Sequence, residues 1–189
     1  MKRTIVIIIL IITAVALGYV YEQVSVTLQK RAHPIPAEYE DYVMKYSVEY
    51  NVQPYIILSV IKAESSFSSG AVSPGAGAVG LMQIMPDTFD WLMKRMGETH
   101  AEGMLFDPET NIKYGTYYLR YLFDMLGDWD LALAAYNAGH NRVRNNWLND
   151  PGIVQDGKLV IAAVPFIETR NYIIRVNKNI EMYKKLYFS

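Results

Sequence analysis

The 189-residue chain contains no cysteine. That absence excludes a disulfide framework, a thioether-linked lipid anchor and thiolate catalysis. Histidine is scarce as well. His33, His100 and His140 stand far apart, with no companion four residues away, so no zinc site is expected and no cofactor is called for. An excess of basic residues is also missing. The chain holds 18 basic and 19 acidic residues, and setting aside Lys2, Arg3, Lys30 and Glu22 leaves 15 against 18 in residues 31 to 189. This balance argues against nucleic acid as a partner. Internal repeats and low-complexity tracts are absent, and an apolar content of 51% suits one globular domain of ordinary size.

One stretch stands apart. "TIVIIILIITAVALGYVY", Thr4 to Tyr21, runs for 18 residues without a charge, close to the length that crosses a hydrocarbon core. Lys2 and Arg3 in front of it set the N-terminus inside and the remainder outside. A cleaved secretory signal is the alternative, with Ala16 and Gly18 as a weak cleavage site, and either reading exports the rest of the chain. Residues 1–21 are therefore read as membrane anchor or signal. Residues 22–36 end in "RAHPIP", whose two prolines favour a short extended stalk, and residues 37–189 form the exported domain.

Within that domain the apolar spacing is helical. Tyr39, Tyr42, Val43, Tyr46 and Tyr50 recur at three- and four-residue steps, a stripe better suited to packing on another helix than to stacking on sugars. Pro54 restarts a helix, and "SSGAVSPGAGAVG" after it is a glycine-rich loop lacking the Gly-Lys-Ser/Thr ending of a phosphate loop. Further helices are expected over "PDTFDWLMKRMG", from Pro108 to Gly127, over the alanine-rich "DWDLALAAYNAGH", and from near Pro165 to the end. "HAEGMLFDP" reads as a connecting loop and "PGIVQDGKLVIAAVP" as strand-like or irregular. The fold class is mainly α.

Glu64, in "SVIKAESSFSSG", falls on the same helical face as Ile57, Val60 and Ile61. Such surroundings disfavour the charged carboxylate and raise its pKa, which suits a general acid able to protonate the leaving oxygen of a glycosidic bond. A core-edge glutamate paired with Arg142 or Arg170, or one turned to water, satisfies the same pattern. A second acid is not nominated: Asp87 and Asp90 look like first-turn acids of the next helix.

"ESSF", "AVSP", "GLMQIMP", "DPETNIKYGTYYL", "ALAAYNAG" and "VPFIETRNYI" occur in that order over residues 37 to 188. Together they resemble the lytic transglycosylase family, whose soluble-type catalytic domain is related in fold to goose-type lysozyme. The resemblance implies a lysozyme-like, mainly α domain after an N-terminal transmembrane helix. It also implies Glu64 as the single catalytic acid/base, cleaving the β-1,4 bond between N-acetylmuramic acid and N-acetylglucosamine in peptidoglycan to leave a 1,6-anhydromuramoyl end. Ser65 would support the glutamate's surroundings, Ser73 would contact the muramoyl sugar, and Met82 with Gln83 would line the groove floor. Tyr136 and Asn137 would sit opposite the acid, and Glu168 and Tyr172 would complete the substrate site. Asn141 departs from the glycine the family often has there.

Two rivals remain open at this level. One is a muramidase of the same fold that uses water; the other is a non-catalytic glycan-binding module held at the membrane.

Overall fold

The computed structural model describes residues 2–99 and 103–188, so His100 and the start of the "HAEGMLFDP" loop lie outside the described residues. The chain divides into an N-terminal unit ending at Ile35 and a second unit running from Pro36 to Phe188.

The N-terminal unit is one helix, α1 (Lys2–Ala32), long and apolar enough to cross a membrane. It carries the uncharged run and continues for about a further three turns, because nothing from Glu22 to Arg31 breaks a helix. The extended backbone expected from residue 22 is thus confined to the segment around Pro34 and Pro36.

The second unit is built from short, well-punctuated helices. α2 (Ala37–Tyr50) follows Pro36 and ends at Asn51, whose φ of 52° is left-handed. α3 (Pro54–Glu64) and α4 (Pro86–Met96) each open on proline, which has no N–H to leave unpaired there. α5 (Pro108–Leu126) is capped by Asp107, which accepts from the Thr110 N–H at 2.8 Å, and Asp128 caps α6 (Trp129–Ala138) in the same way. After α6 come the single turn α7 (His140–Arg142) and a π-helical turn, Val143–Trp147. The irregular segment then forms a two-residue hairpin, β1 (Val154–Gln155) with β2 (Lys158–Leu159). Its turn is Asp156-Gly157, both at positive φ, as a tight hairpin requires. α8 (Ile167–Tyr187) closes the unit.

The core lies where α3 packs on α8, α2 on α5, and α6 on both α5 and α8. Ala132, Ala134 and Ala135 of α6 are fully buried, their small side chains letting the flanking helices approach. The tyrosine stripe of α2 faces inward: Tyr39 and Tyr46 are buried, and Tyr50 meets Tyr117 of α5 edge-on at 5.5 Å. This brings the C-terminal end of α3, the loop after it, the end of α6 and the start of α8 to one region.

Candidate active site

Glu64 is the last residue of α3, and the Ile57, Val60 and Ile61 beneath it have no exposed surface. Burial is the main cause that pushes its carboxyl up from an ordinary 4.5 to about 7. The Tyr172 hydroxyl and the Arg175 charge oppose that rise, while the nearby Glu168 charge adds to it. All three belong to α8. The alternative cations are engaged elsewhere. Arg142 donates to the Ala138 carbonyl and lies over the Phe166 ring, and Arg170 donates to the Val164 carbonyl.

The backbone turns sharply beyond Glu64. Ser66 (φ 51°) and Phe67 (φ 68°) are consecutive left-handed residues with side chains, a costly arrangement that ends the helix at the carboxyl. Ser65 anchors the turn by donating its hydroxyl to the Leu81 carbonyl at 2.8 Å, joining the end of α3 to the "GLMQ" loop.

That loop is held by one buried side chain. Asn111 of α5 accepts from the Met82 N–H at 2.7 Å, and its amide nitrogen donates to the carbonyls of Val79 and Leu105 at 2.9 and 2.8 Å. Gly80, at φ 80°, lies so close that a Cβ there would strike the Asn111 amide. The Met82 side chain is fully buried against Gly115 of α5, so it supports the loop from beneath rather than facing solvent. Gln83, left-handed at φ 50°, donates its amide to the carbonyls of Ala71 and Gly80, leaving its side-chain oxygen free to accept. Ser73 accepts from the Ala78 N–H at 3.0 Å, closing its own loop.

Across from this loop, the Tyr136 hydroxyl donates to the Met82 carbonyl at 2.8 Å. Its burial, with the Glu64 charge nearby, keeps that phenol protonated well above its ordinary range. Asn137 accepts from the Thr169 hydroxyl at 2.7 Å. Tyr172 is buried, with its hydroxyl short of a well-formed hydrogen bond but close enough to influence Glu64. A cavity of about 520 Å³ opens beside these residues, lined in part by Gln83, Thr88, Tyr118, Tyr136, Asn137 and His140.

Of the nine residues singled out from the sequence, Gln83, Tyr136 and Asn137 line this cavity. Tyr172 and the exposed Glu168 each act on the Glu64 carboxyl, and Glu64 in turn acts on Tyr136 of the cavity lining. Ser65, Ser73 and Met82 are loop-holding residues by their contacts. Asn111, Tyr118, Thr169 and His140 were not nominated. Asn111 sits inside the "DPETNIKYGTYYL" motif, and a buried amide in a helix interior is the signal that marks it. Among the described residues no group of three or more His, Cys, Asp or Glu side chains is arranged to hold a metal.

The family model for the transglycosylase SLT domain matches residues 41–155. The chain belongs to the transglycosylase SLT domain family. It is 36% identical over 155 residues to the soluble lytic murein transglycosylase of Escherichia coli K12, covering 80% of this chain and 23% of that protein. It is 33% identical over 180 residues to membrane-bound lytic murein transglycosylase C of Edwardsiella ictaluri, covering 84% and 49%. Among solved structures it is similar to the 70-kDa soluble lytic transglycosylase in complex with bulgecin A, with a TM-score of 0.76 and 32% identity over 85% of this chain and 26% of that one. An inactive glutamate-to-glutamine mutant of lytic transglycosylase Slt from Pseudomonas aeruginosa matches with a TM-score of 0.72 and 31% identity, over 82% and 25%. This SLT-family chain thus spans about a quarter of the soluble relatives' length and about half of the membrane-bound one's. The fold is mainly helical and lysozyme-like, as these neighbours have it.

Proposed function

We propose that the chain is a membrane-anchored lytic transglycosylase that cleaves peptidoglycan glycan strands, with Glu64 as its single acid/base. The observation that carries this reading is the position of Glu64: a carboxyl at the end of α3, pushed up to about 7 by burial, whose charge acts on Tyr136, a residue that lines a cavity together with Gln83 and Asn137.

The protonated Glu64 donates its proton to the oxygen linking N-acetylmuramic acid to N-acetylglucosamine, and that C–O bond breaks. The resulting carboxylate accepts the proton of the muramoyl C6 hydroxyl, whose oxygen bonds to C1 and gives the 1,6-anhydro ring. No water is consumed, and Glu64 ends as it began. Arg175 and Tyr172 favour the carboxylate in the middle of the cycle, and burial favours the acid at its start. Asn137 and Gln83 offer an amide donor and a carbonyl acceptor to the sugar's N-acetyl and hydroxyl groups. Glu168 and Tyr172 complete the substrate site from α8, and Ser65, Ser73 and Met82 keep its walls in place. The glutamate-to-glutamine relative described as inactive supports one glutamate as indispensable.

The first 21 residues serve as anchor, residues 22–36 as stalk and residues 37–189 as catalytic domain. Lys2 and Arg3 ahead of the apolar run of α1 support a single-pass topology with the N-terminus cytoplasmic and the catalytic domain extracytoplasmic. The membrane-bound relatives support this arrangement. Mass spectrometry of muropeptides released from purified sacculi tests the reaction. Ends lighter by one water than reducing ends are expected; reducing ends would instead assign a hydrolase, and binding without release a glycan-binding module.

A further inference from the structure

A second cavity, of about 460 Å³, lies between the C-terminal end of α4, the outer face of α5 and the π-helical turn after α7. Arg95, Arg120 and Arg144 line it, yet Asp124 is the one carboxylate among its described lining residues. For a chain of net charge −1 this is a local excess of positive charge.

The three guanidinium groups are not equivalent. Arg120 is matched to Asp124, its Nε donating at 3.1 Å. Arg95 lies over the Tyr121 ring at 4.6 Å and the Trp91 ring at 5.7 Å, and makes no hydrogen bond or ion pair among the described residues. Stacking fixes the guanidinium plane and leaves its N–H edge available. Arg144 donates only to neutral amide oxygens, those of Asn145 and Asn141, at 3.2 and 3.4 Å. Two uncompensated charges with free donors therefore face one cavity.

This cavity shares a wall with the one beside Glu64. His140, which lines the first cavity, stacks on Trp91 at 5.8 Å with ring planes 22° apart. Trp91 in turn meets Tyr121, which lines the second cavity, at 5.1 Å. The Tyr118 hydroxyl and His140 Nδ1, 3.2 Å apart, brace the wall. Trp91 thus separates the two cavities by one ring, with His140 facing the first and Tyr121 the second.

We infer that the Arg95–Arg144 cavity binds a carboxylate of the peptide stem carried by the muramoyl residue whose glycan lies beside Glu64. The inference rests on the peptidoglycan reading above. Muramoyl stems present free carboxylates at side chains and C-termini, and a planar guanidinium edge recognises a carboxylate by paired N–H donors.

The test compares two substrates, glycan strands with intact stems and the same strands stripped of peptide by an amidase, for the full chain and its Arg95→Gln/Arg144→Gln variant. On stem-bearing strands the variant should show a KM raised about tenfold with kcat unchanged, the size expected for losing charge-assisted hydrogen bonds. On stripped strands its KM and kcat should match the parent chain, which also shows that the variant folds. Equal loss on both substrates, or no loss on either, overturns the inference while the cleavage reaction stands. Failure of the parent chain to cleave either substrate overturns the reaction itself, and this inference with it.

Discussion

Thr169 Oγ1 donates to Asn137 Oδ1 at 2.7 Å, across the junction of α8 and α6. The bond engages the amide's acceptor and leaves the NH2 group of this cavity-lining residue to donate. Thr169 is buried and does not itself line that cavity, so it acts as a positioning residue. Thr169→Val keeps the shape and removes the donor. Its KM on glycan strands should rise about fivefold, the loss of roughly 1 kcal/mol, with the pH profile unchanged and Thr169→Ser restoring the parent value. A pH profile shifted together with KM would show that the bond serves Glu64 instead.

Activity should fall as pH rises through about 7, because the proton to be donated leaves Glu64 there. Tyr172 lowers the Glu64 pKa, so Tyr172→Phe should move this alkaline limb to higher pH. Initial rates on soluble glycan strands from about pH 5 to about 9 measure both effects.

Stability should carry the same signature. Below about pH 4.5 folded and unfolded chains both hold the Glu64 proton, and its contribution is complete. Between about 4.5 and 7 the unfolded chain releases the proton first, so stability falls as pH rises and levels off above 7. Glu64→Gln removes this dependence. The variant should be more stable than the parent by about 3 kcal/mol at about pH 8 and nearly equal to it at about pH 4. Denaturant melts at the two pH values report the difference.

Asn111→Ala should destabilise the catalytic unit by about 3 kcal/mol, since it takes the acceptor from the Met82 N–H and a donor from each of the Leu105 and Val79 carbonyls, the latter keeping only the Ile84 N–H. The thermal midpoint measures the loss. Cleavage at a temperature where the variant is folded should still be slowed, because the same side chain holds the loop carrying Gln83.

Helix order was legible in the sequence because each helix is bounded by its own chemistry: Pro54, Pro86 and Pro108 at starts, Gly97 and Gly127 at ends. The face of α3 that buries Glu64 came from spacing alone. Contacts between distant segments did not. Asn111 reaches Val79 and Met82 across about thirty residues, and no periodicity encodes that distance. The left-handed Ser66, Phe67 and Gln83 were also hidden, since side-chain-bearing residues enter that region only where tertiary contacts compel them. Arg142 and Arg170 were plausible partners for Glu64 by composition. The register of α8 instead brings Tyr172 and Arg175 to it.

The central claim concerns one carboxyl, and Glu64→Gln tests it most directly. Purified sacculi are incubated with the parent chain and the variant, both shown folded by their melts, and released muropeptides are weighed. The account predicts anhydro-ended products from the parent and a loss of at least about a thousandfold in their release by the variant. Near-normal release by the folded variant would contradict it.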